Sequence, residues 1–263
     1  MRAVALHADV LVFTSSLLQL NCLAVRAPAG EECFLIDSPL LPEELDSLPG
    51  LLGQAGFSPP NGLLATHGDW DHLLGRLAFP GLALGCAAST AERLRAAPGE
   101  AQRQLRSFDE ELMIERERPL ALGSVQALPV PGRCAVGSRE LELLPAEGHT
   151  GDGMAVLIPW AGVLAAGDYL SAAELPALDD GACLERYLAT LERLCGLLPR
   201  VEHVVPGHGP VLDRERALAL AQEDRAYLAS VRDIGARAEL PAGRATPAQR
   251  RRHAENLQQV VGS

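Results

Sequence analysis

Four side chains of the types that bind metal ions lie close together in this chain, in the segment THGDWDH at residues 66–72. They are His67, Asp69, Asp71 and His72. The segment follows a short apolar run at residues 62–65, which is typical of a buried strand. Side chains two residues apart in an extended segment point the same way, and the turn that follows is expected to bring His72 beside Asp71.

Two imidazoles and two carboxylates in so small a volume predict a metal site. Carboxylates that close together repel one another unless a cation lies between them. Imidazole and carboxylate together are the ligand set of zinc and of non-haem iron or manganese. The structural alternative is that these side chains cap turns and helix N-termini, as single His and Asp residues at strand ends commonly do. Four such residues in one short segment favour the metal.

Three more side chains of the same types follow predicted strands, in turns made of small residues. His149 lies in the sequence GHTG, Asp168 directly follows an apolar run, and His208 lies in the sequence PGHG. The glycines beside His208 allow a close approach of the backbone. Taken singly, a His or an Asp in such a turn more often has a structural role.

The apolar pattern that must position these residues alternates between strands and helices, with no linker that divides the chain. Strands are predicted at residues 10–13, 21–25, 33–37, 62–66, 82–87, 154–159, 162–167 and 202–205, with short strands between 120 and 146 and a hairpin within 136–144. Helices are predicted at residues 42–55, 89–97, 182–199, 213–237 and 246–260. Residues 100–118 are predicted to be a helix or a covering loop.

The composition is that of a soluble globular protein, with 48% apolar and 22% charged residues. A formal net charge of −11 argues against nucleic acid as a partner, because phosphate binding needs a basic surface. All 23 basic residues are arginine, which is typical of a high-GC bacterial gene. The six cysteines show no C-x-x-C spacing, and no apolar run is long enough for a membrane span. We therefore expect a cytoplasmic protein without a membrane partner.

The order, types and approximate intervals of the seven residues resemble the metallo-β-lactamase superfamily, whose pattern is H-x-H-x-D-H followed by a His, an Asp and a His. The resemblance covers residues 10 to about 212. It implies an α/β fold, an αββα sandwich of two mixed β-sheets flanked by helices. It also implies a catalytic domain at residues 1–212, with residues 213–263 as a helical extension packed on the same domain.

The resemblance further implies two divalent metal ions. His67, Asp69 and His149 would hold the first, Asp71, His72 and His208 would hold the second, and Asp168 would bridge them. The family usually has His where this chain has Asp69, and a carboxylate oxygen is a harder ligand than imidazole. Zinc is the metal expected first, and Asp69 makes iron or manganese the alternative. Asp69 is expected to be a ligand, although a weakened first site that leaves a single metal ion is also compatible with the sequence.

Such a metal pair predicts hydrolysis of a small-molecule thioester, ester, lactone or phosphoester by metal-activated hydroxide, with Asp71 or Asp168 orienting the nucleophile or relaying a proton. The sequence contains no G-x-S-x-G motif for a serine nucleophile. Two other functions remain open: a non-haem iron oxidoreductase similar to persulfide dioxygenases, and a non-catalytic binding protein on the same fold. A homodimer is also compatible with the sequence. The residues Arg250, Arg251 and Arg252 are expected to be solvated, with contact to an anionic substrate or partner as the alternative.

Overall fold

Two β-sheets form the centre of the fold in this computed structural model, which describes residues 1–28, 32–178 and 181–261. The first sheet has seven strands in sequential order. They are β1 (Arg2–His7), β2 (Val10–Thr14), β3 (Asn21–Arg26), β4 (Cys33–Ile36), β5 (Gly62–Leu64), β6 (Leu84–Ala87) and β7 (Val125–Leu128). The first four strands pair antiparallel. The pairs β4–β5, β5–β6 and β6–β7 are parallel.

The second sheet has six strands in the order β13-β12-β11-β10-β9-β8. They are β8 (Gly132–Val136), β9 (Arg139–Pro145), β10 (Met154–Ile158), β11 (Val163–Gly167), β12 (His203–Pro206) and β13 (Leu212–Asp213). Strands β8 and β9 form the predicted hairpin. Strand β11 pairs antiparallel with β10 and parallel with β12. Strands β9, β11 and β12 therefore all run in the same direction, and their carboxyl ends lie on the same side of the sheet.

The two sheets pack face to face, and alternate side chains of each strand lie in different cores. In β10, Val156 and Ile158 belong to the core between the sheets, which also contains Val12 and Leu64 of the first sheet. Leu157, between them in sequence, faces the helices on the outside of the second sheet. This alternation explains why β10 is buried along its whole length.

Helices cover the outer face of each sheet. They are α1 (Pro42–Gln54), α2 (Gly75–Ala78), α3 (Ala88–Ala96), α4 (Glu100–Leu112), α5 (Leu184–Leu197), α6 (Arg214–Ile234) and α7 (Pro247–Val261). Residues from α1, α3 and α4 pack on the first sheet, and residues from α5 and α6 pack on the second. The resulting order of layers is the predicted αββα sandwich. None of the helices in the described ranges is long and apolar enough to cross a membrane.

The N-termini of α1 and α6 follow the sequence signals that predicted them, whereas α3 begins at Ala88 without a side-chain cap, before the predicted start at Ser89. Pro42 occupies the first turn of α1, where its missing N–H costs nothing. The side chain of Asp213 accepts a hydrogen bond of 2.7 Å from the N–H of Arg216 and caps α6. Residues 100–112 form a helix, so the alternative of a covering loop was wrong for this part.

Candidate metal centre

The structure brings all seven predicted residues together beyond the carboxyl ends of four strands. Residues 67–72 follow β5 of the first sheet, and His149 follows β9 of the second. Asp168 directly follows β11, and His208 lies just after β12. Because both sheets contribute, the site lies where their strand ends meet.

The local geometry of residues 67–72 differs from the prediction. Strand β5 ends at Leu64 rather than at Thr66, and residues Trp70–Leu73 form a 3₁₀ turn. Asp71 is therefore not part of an extended segment, so the predicted alternation over 67, 69 and 71 was wrong at its last position. The hydroxyl of Ser38 stabilises this turn, since it donates to the carbonyl oxygen of Asp71 and accepts from the N–H of Leu74.

The first group of potential ligands consists of His67, Asp69 and His149, whose ligand atoms lie within 4.8 Å of one another. The Oδ2 atom of Asp69 is 3.4 Å from Nε2 of His67 and 3.4 Å from Nε2 of His149. Two imidazole nitrogens and one carboxylate oxygen thus face a common point, as a three-ligand metal site requires.

The second group consists of Asp71, His72 and His208, again with ligand atoms within 4.8 Å of one another. The Oδ2 atom of Asp71 is 3.3 Å from Nε2 of His208 and 4.0 Å from Nε2 of His72. All three residues are buried. This is the set that the family resemblance assigns to the second metal ion.

Asp168 lies between the two groups. Its Oδ2 is 3.7 Å from Nε2 of His67 and 3.4 Å from Nε2 of His149, on the side of the first group. Its Oδ1 is 3.2 Å from Nε2 of His72, and its Oδ2 is 3.7 Å from Nε2 of His208, on the side of the second. One carboxylate therefore contacts all four histidines, which is the position that a bridging ligand would occupy.

The other ring nitrogen of each histidine faces an oxygen atom. The Nδ1 atom of His149 is 3.1 Å from the carbonyl oxygen of Ala177, and that of His208 is 3.0 Å from the carbonyl oxygen of Leu18. A carbonyl oxygen only accepts hydrogen bonds, so Nδ1 carries the proton in both rings and Nε2 is left for a metal ion. Nδ1 of His67 is 3.1 Å from the hydroxyl of Thr66.

Asp37 orients the second group and was not among the predicted site residues. Its Oδ2 is 3.0 Å from Nδ1 of His72. The same carboxylate accepts hydrogen bonds from the N–H and the hydroxyl of Thr66, at 2.8 and 2.9 Å. Asp37 thus fixes both the ring of His72 and the start of the 67–72 segment, and a carboxylate behind a ligating histidine also strengthens its metal binding.

Arg93 and Asp152 hold Asp69 in place, and they too were not among the predicted site residues. Arg93, on α3, donates to Oδ1 of Asp69 at 2.7 Å and to Oδ1 of Asp152 at 2.8 Å. Asp152 also accepts a hydrogen bond of 2.9 Å from the N–H of Gly68. Asp69 is therefore held through one oxygen by Arg93, and its other oxygen faces His67 and His149.

Burial and neighbouring charges act in opposite directions on the ionisable groups of the site. Burial alone would lower the pKa of His72, but the carboxylates of Asp37, Asp168 and Asp71 hold that pKa well above its ordinary value. Burial also opposes protonation of His208, yet Asp168, Glu174 and Asp71 raise its pKa to about 10. Conversely, burial would raise the pKa of Asp168, but the nearby histidines hold it well below its ordinary value.

The donor atoms fit a pair of divalent cations. Among the residues that the structure describes, Nε2 of His67, Nε2 of His72 and Oδ1 of Asp168 are buried and make no hydrogen bond of good geometry. Buried polar atoms without partners are costly, and nitrogen and oxygen atoms that converge on one point are what a divalent cation would satisfy. The arrangement is therefore that of a metal centre rather than of turn-capping residues.

Gly207 is required by this arrangement. A side chain at position 207 would collide with Oδ1 of Asp168 and would come within 2.9 Å of Cε1 of His72. Its N–H donates to the carbonyl oxygen of Gly167 at 2.7 Å, which joins the ends of β11 and β12. The close backbone approach expected from the glycines around His208 is thus present, and it brings Asp168 and His208 together.

A cavity of about 810 Å³ opens onto the candidate metal centre. Asp69, Asp71, His149, Asp168 and His208 line its floor. Loop residues and three helices form its walls. The helix residues are Arg93 of α3, Gln104 of α4, and Arg252, Glu255, Gln258 and Gln259 of α7. A volume of this size is in the range of small-molecule sites.

Several residues outside the predicted ligand set have a defined place. Trp70 both lines this cavity and packs against Phe108, with ring centroids 4.7 Å apart. Tyr169 is a core residue, as predicted, although its hydroxyl also accepts a hydrogen bond from the N–H of His149. Of the three arginines of α7 that are expected to be solvated, Arg250 and Arg251 are exposed, and Arg252 is half-buried and lines the cavity.

Comparison with known proteins gives one family and several similar structures. The model of the metallo-beta-lactamase superfamily matches residues 16–227, and no curated protein sequence matches the chain. The solved structure of the metallo-beta-lactamase family protein TTHA1429 from Thermus thermophilus is 21% identical, with a TM-score of 0.68 over 97% of this chain and 95% of that one.

Two further solved structures are similar at comparable identity. TTHA1623, in a di-iron-bound form, is 24% identical, with a TM-score of 0.61 over 79% of this chain and 96% of that one. A metallo-beta-lactamase from Pontibacter korlensis is 23% identical, with a TM-score of 0.60 over 84% of this chain and 98% of that one. At these identities the likeness shows a shared fold.

Proposed function

Since the chain belongs to the metallo-beta-lactamase superfamily, we propose that it is a metal-dependent hydrolase that cleaves a small-molecule thioester, ester, lactone or phosphoester. The observation that carries the proposal is the pair of three-ligand groups that share the carboxylate of Asp168 at the floor of a cavity. A site for turn capping alone would not leave buried nitrogens aimed at a common point.

The metal ions in this proposal are two divalent cations, with zinc as the first choice. His67, Asp69 and His149 would hold one ion, Asp71, His72 and His208 would hold the other, and Asp168 would contact both. Such a pair lowers the pKa of a water molecule and polarises the carbonyl or phosphoryl oxygen of a substrate. Because the activated water would be the nucleophile, no side-chain nucleophile is needed.

Asp71 and Asp168 are the proposed catalytic residues. Both residues line the cavity. Burial alone would raise the pKa of each carboxyl. The histidines His72 and His208 nevertheless lower the pKa of Asp71, and His208 and His72 lower that of Asp168. Both are therefore ionised at neutral pH, so each can accept a hydrogen bond from the attacking water and orient it towards the substrate.

The substrate is proposed to be a small molecule, because the cavity at the site holds about 810 Å³ and several of its wall residues are polar. Arg93 and Arg252 are the arginines of its lining. Both already contact carboxylates of the protein, so the cavity combines positive and negative groups rather than one sign of charge.

The proposal is tested by elemental analysis of the purified protein together with a panel of thioesters, esters, lactones and phosphoesters. We expect about two zinc ions per chain and turnover of at least one substrate class. Asp168→Ala should bind fewer metal ions and lose turnover by a factor of at least about 10² while remaining folded, since it removes the shared ligand. His203→Ala on β12, five positions before His208, is the matched control and should keep both properties. Normal turnover by Asp168→Ala would contradict the two-metal proposal.

A non-haem iron oxidoreductase is the second candidate function. Two observations favour it: Asp69 gives the first group a carboxylate ligand, and the similar structure of TTHA1623 is di-iron-bound. Iron in the elemental analysis, with oxygen consumption in the presence of a thiol or persulfide, would support this candidate over the hydrolase. Zinc with no oxygen consumption would exclude it.

A further inference from the structure

One loop, residues 171–178, contacts two of the proposed metal ligands from behind. The carbonyl oxygen of Ala177 lies 3.1 Å from Nδ1 of His149. At the other end of the loop, the hydroxyl of Ser171 donates to the carbonyl oxygen of His208 at 2.7 Å. The position of this loop therefore helps to determine the orientation of His149 and the backbone at His208.

The loop contains no helix or strand, so its backbone polar groups need partners from elsewhere. Three side chains of the C-terminal segment supply them. Gln249 donates to the carbonyl oxygen of Ala173 at 2.8 Å, and Arg244 donates to those of Ser171 and Glu174 at 3.4 and 3.2 Å. The third side chain is that of Asn256.

Asn256 binds the loop on both sides of Ala177. Its Nδ2 donates to the carbonyl oxygen of Pro176 at 2.7 Å, and its Oδ1 accepts from the N–H of Leu178 at 3.0 Å. Asn256 is completely buried, and Arg244 and Gln249 are 3% and 5% exposed. The two hydrogen bonds of Asn256 thus hold the peptide group that carries the carbonyl facing His149, through the N–H of Leu178, and the peptide group before it.

The C-terminal side chains are themselves anchored to α6. Arg244 contacts Asp224 at 2.6 Å, and Nδ2 of Asn256 also donates to the hydroxyl of Tyr227 at 3.1 Å. The chain of contacts thus runs from α6 through residues 244–256 to the loop, and from the loop to His149 and His208.

From these contacts we infer that Asn256, about a hundred positions after His149, is a positioning residue for the first metal site. It holds the carbonyl of Ala177, which keeps the proton of His149 on Nδ1 and Nε2 directed at the metal. The inference rests on the proposed function, since it concerns the same metal centre. It assigns the C-terminal helix a role in metal binding in addition to its role as a wall of the cavity.

The test uses the full chain stripped of metal and titrated with cobalt(II), whose absorption reports the ligands of each ion. We expect Asn256→Ala to bind the first ion up to about tenfold more weakly than wild type, since it loosens the carbonyl behind His149 without removing it, and removal of such a partner costs about ten- to a hundredfold. The second ion, held by Asp71, His72 and His208, should bind with unchanged affinity. His149→Ala provides the reference for loss of the first site.

Tyr227→Phe is the matched control. It removes the hydroxyl that joins α6 to Asn256 and leaves both hydrogen bonds of Asn256 to the loop intact. If Asn256 only stabilises the fold, Asn256→Ala and Tyr227→Phe should both lose stability, and neither should selectively change the cobalt affinity of the first site. Our inference predicts that Asn256→Ala changes the affinity of the first site and that Tyr227→Phe does not.

The second measurement is hydrogen exchange of the loop amides. Gln249→Ala is a milder variant that is used if Asn256→Ala does not fold. We expect exchange at residues 171–178 to be faster in Asn256→Ala and Gln249→Ala than in Tyr227→Phe. Wild-type cobalt affinities in a folded Asn256→Ala, or in Gln249→Ala despite faster loop exchange, would overturn the inference alone. A wild-type protein that takes up no cobalt would overturn the proposed function and this inference with it.

Discussion

Metal uptake by the metal-free protein should release protons, because two histidines of the second group are protonated without metal. The surrounding carboxylates raise the pKa of His208 to about 10 and hold that of His72 well above its ordinary value. A metal ion binds the neutral imidazole, so both protons must leave when the site is filled. We therefore expect release of about two protons per chain from these residues at about pH 7.

The same argument gives the dependence of metal affinity on pH. A group whose pKa is raised in the metal-free protein competes with the metal at every pH below that value. Each displaced proton makes the apparent dissociation constant about tenfold smaller for each unit rise in pH. The second ion, whose site contains His72 and His208, should thus bind up to about a hundredfold more tightly per unit as the pH rises from about 7 towards 9.

Isothermal titration calorimetry in buffers of different ionisation enthalpy measures the number of protons released. His208→Ala isolates one of the two groups, and this variant should release about one proton fewer than wild type. His203→Ala should release the wild-type number, because His203 is not a ligand in either group. Release of far less than one proton by the wild type, or equal release by wild type and His208→Ala, would refute the reasoning.

Two further predictions concern stability. Arg93→Met removes contacts of 2.7 and 2.8 Å to Asp69 and Asp152. We expect the free energy of unfolding of the metal-free protein, measured in urea, to fall by about 1–2 kcal/mol. This is less than for a fully buried pair, because the arginine side chain is 35% exposed. Arg103→Met, which breaks an exposed pair with Glu100, should cost under about 0.5 kcal/mol, and equal effects would contradict the importance of Arg93. Leu191→Ala on α5 empties a fully buried position beneath the second sheet and should cost about 2–4 kcal/mol, whereas Leu188→Ala at a half-buried position of the same helix should cost clearly less.

Local patterns predicted most strands and helices and the candidate ligands, whereas the layers and the grouping of the ligands were implied only by the family resemblance. Short apolar runs identified β10 and β11, and side chains of ligand types directly after strands marked His67 and Asp168 as candidates. The 3₁₀ turn at residues 70–73 could not be predicted in this way. Its stabilising hydroxyl, that of Ser38, comes from a different loop of the chain.

The residues behind the ligands differ in how far they could have been found. Asp37 follows β4, which pairs in parallel with β5, and the carboxyl ends of parallel neighbours lie side by side. An Asp directly after such a strand was therefore a signal for a site residue. Arg93 and Asn256 gave no comparable signal, since each lies inside a helix and reaches the site only through tertiary packing.

Arg93 changes what Asp69 implies about the metal. A bare carboxylate in place of histidine would add a negative charge to the first group and would favour a harder cation. Here the guanidinium of Arg93 binds Oδ1 of that carboxylate and an oxygen of Asp152 as well, so it offsets part of the added charge. Only Oδ2 faces His67 and His149, which limits Asp69 to one oxygen ligand. The number of donor atoms in the first group therefore matches that of three histidines, and this is why we expect zinc first in the elemental analysis despite the substitution.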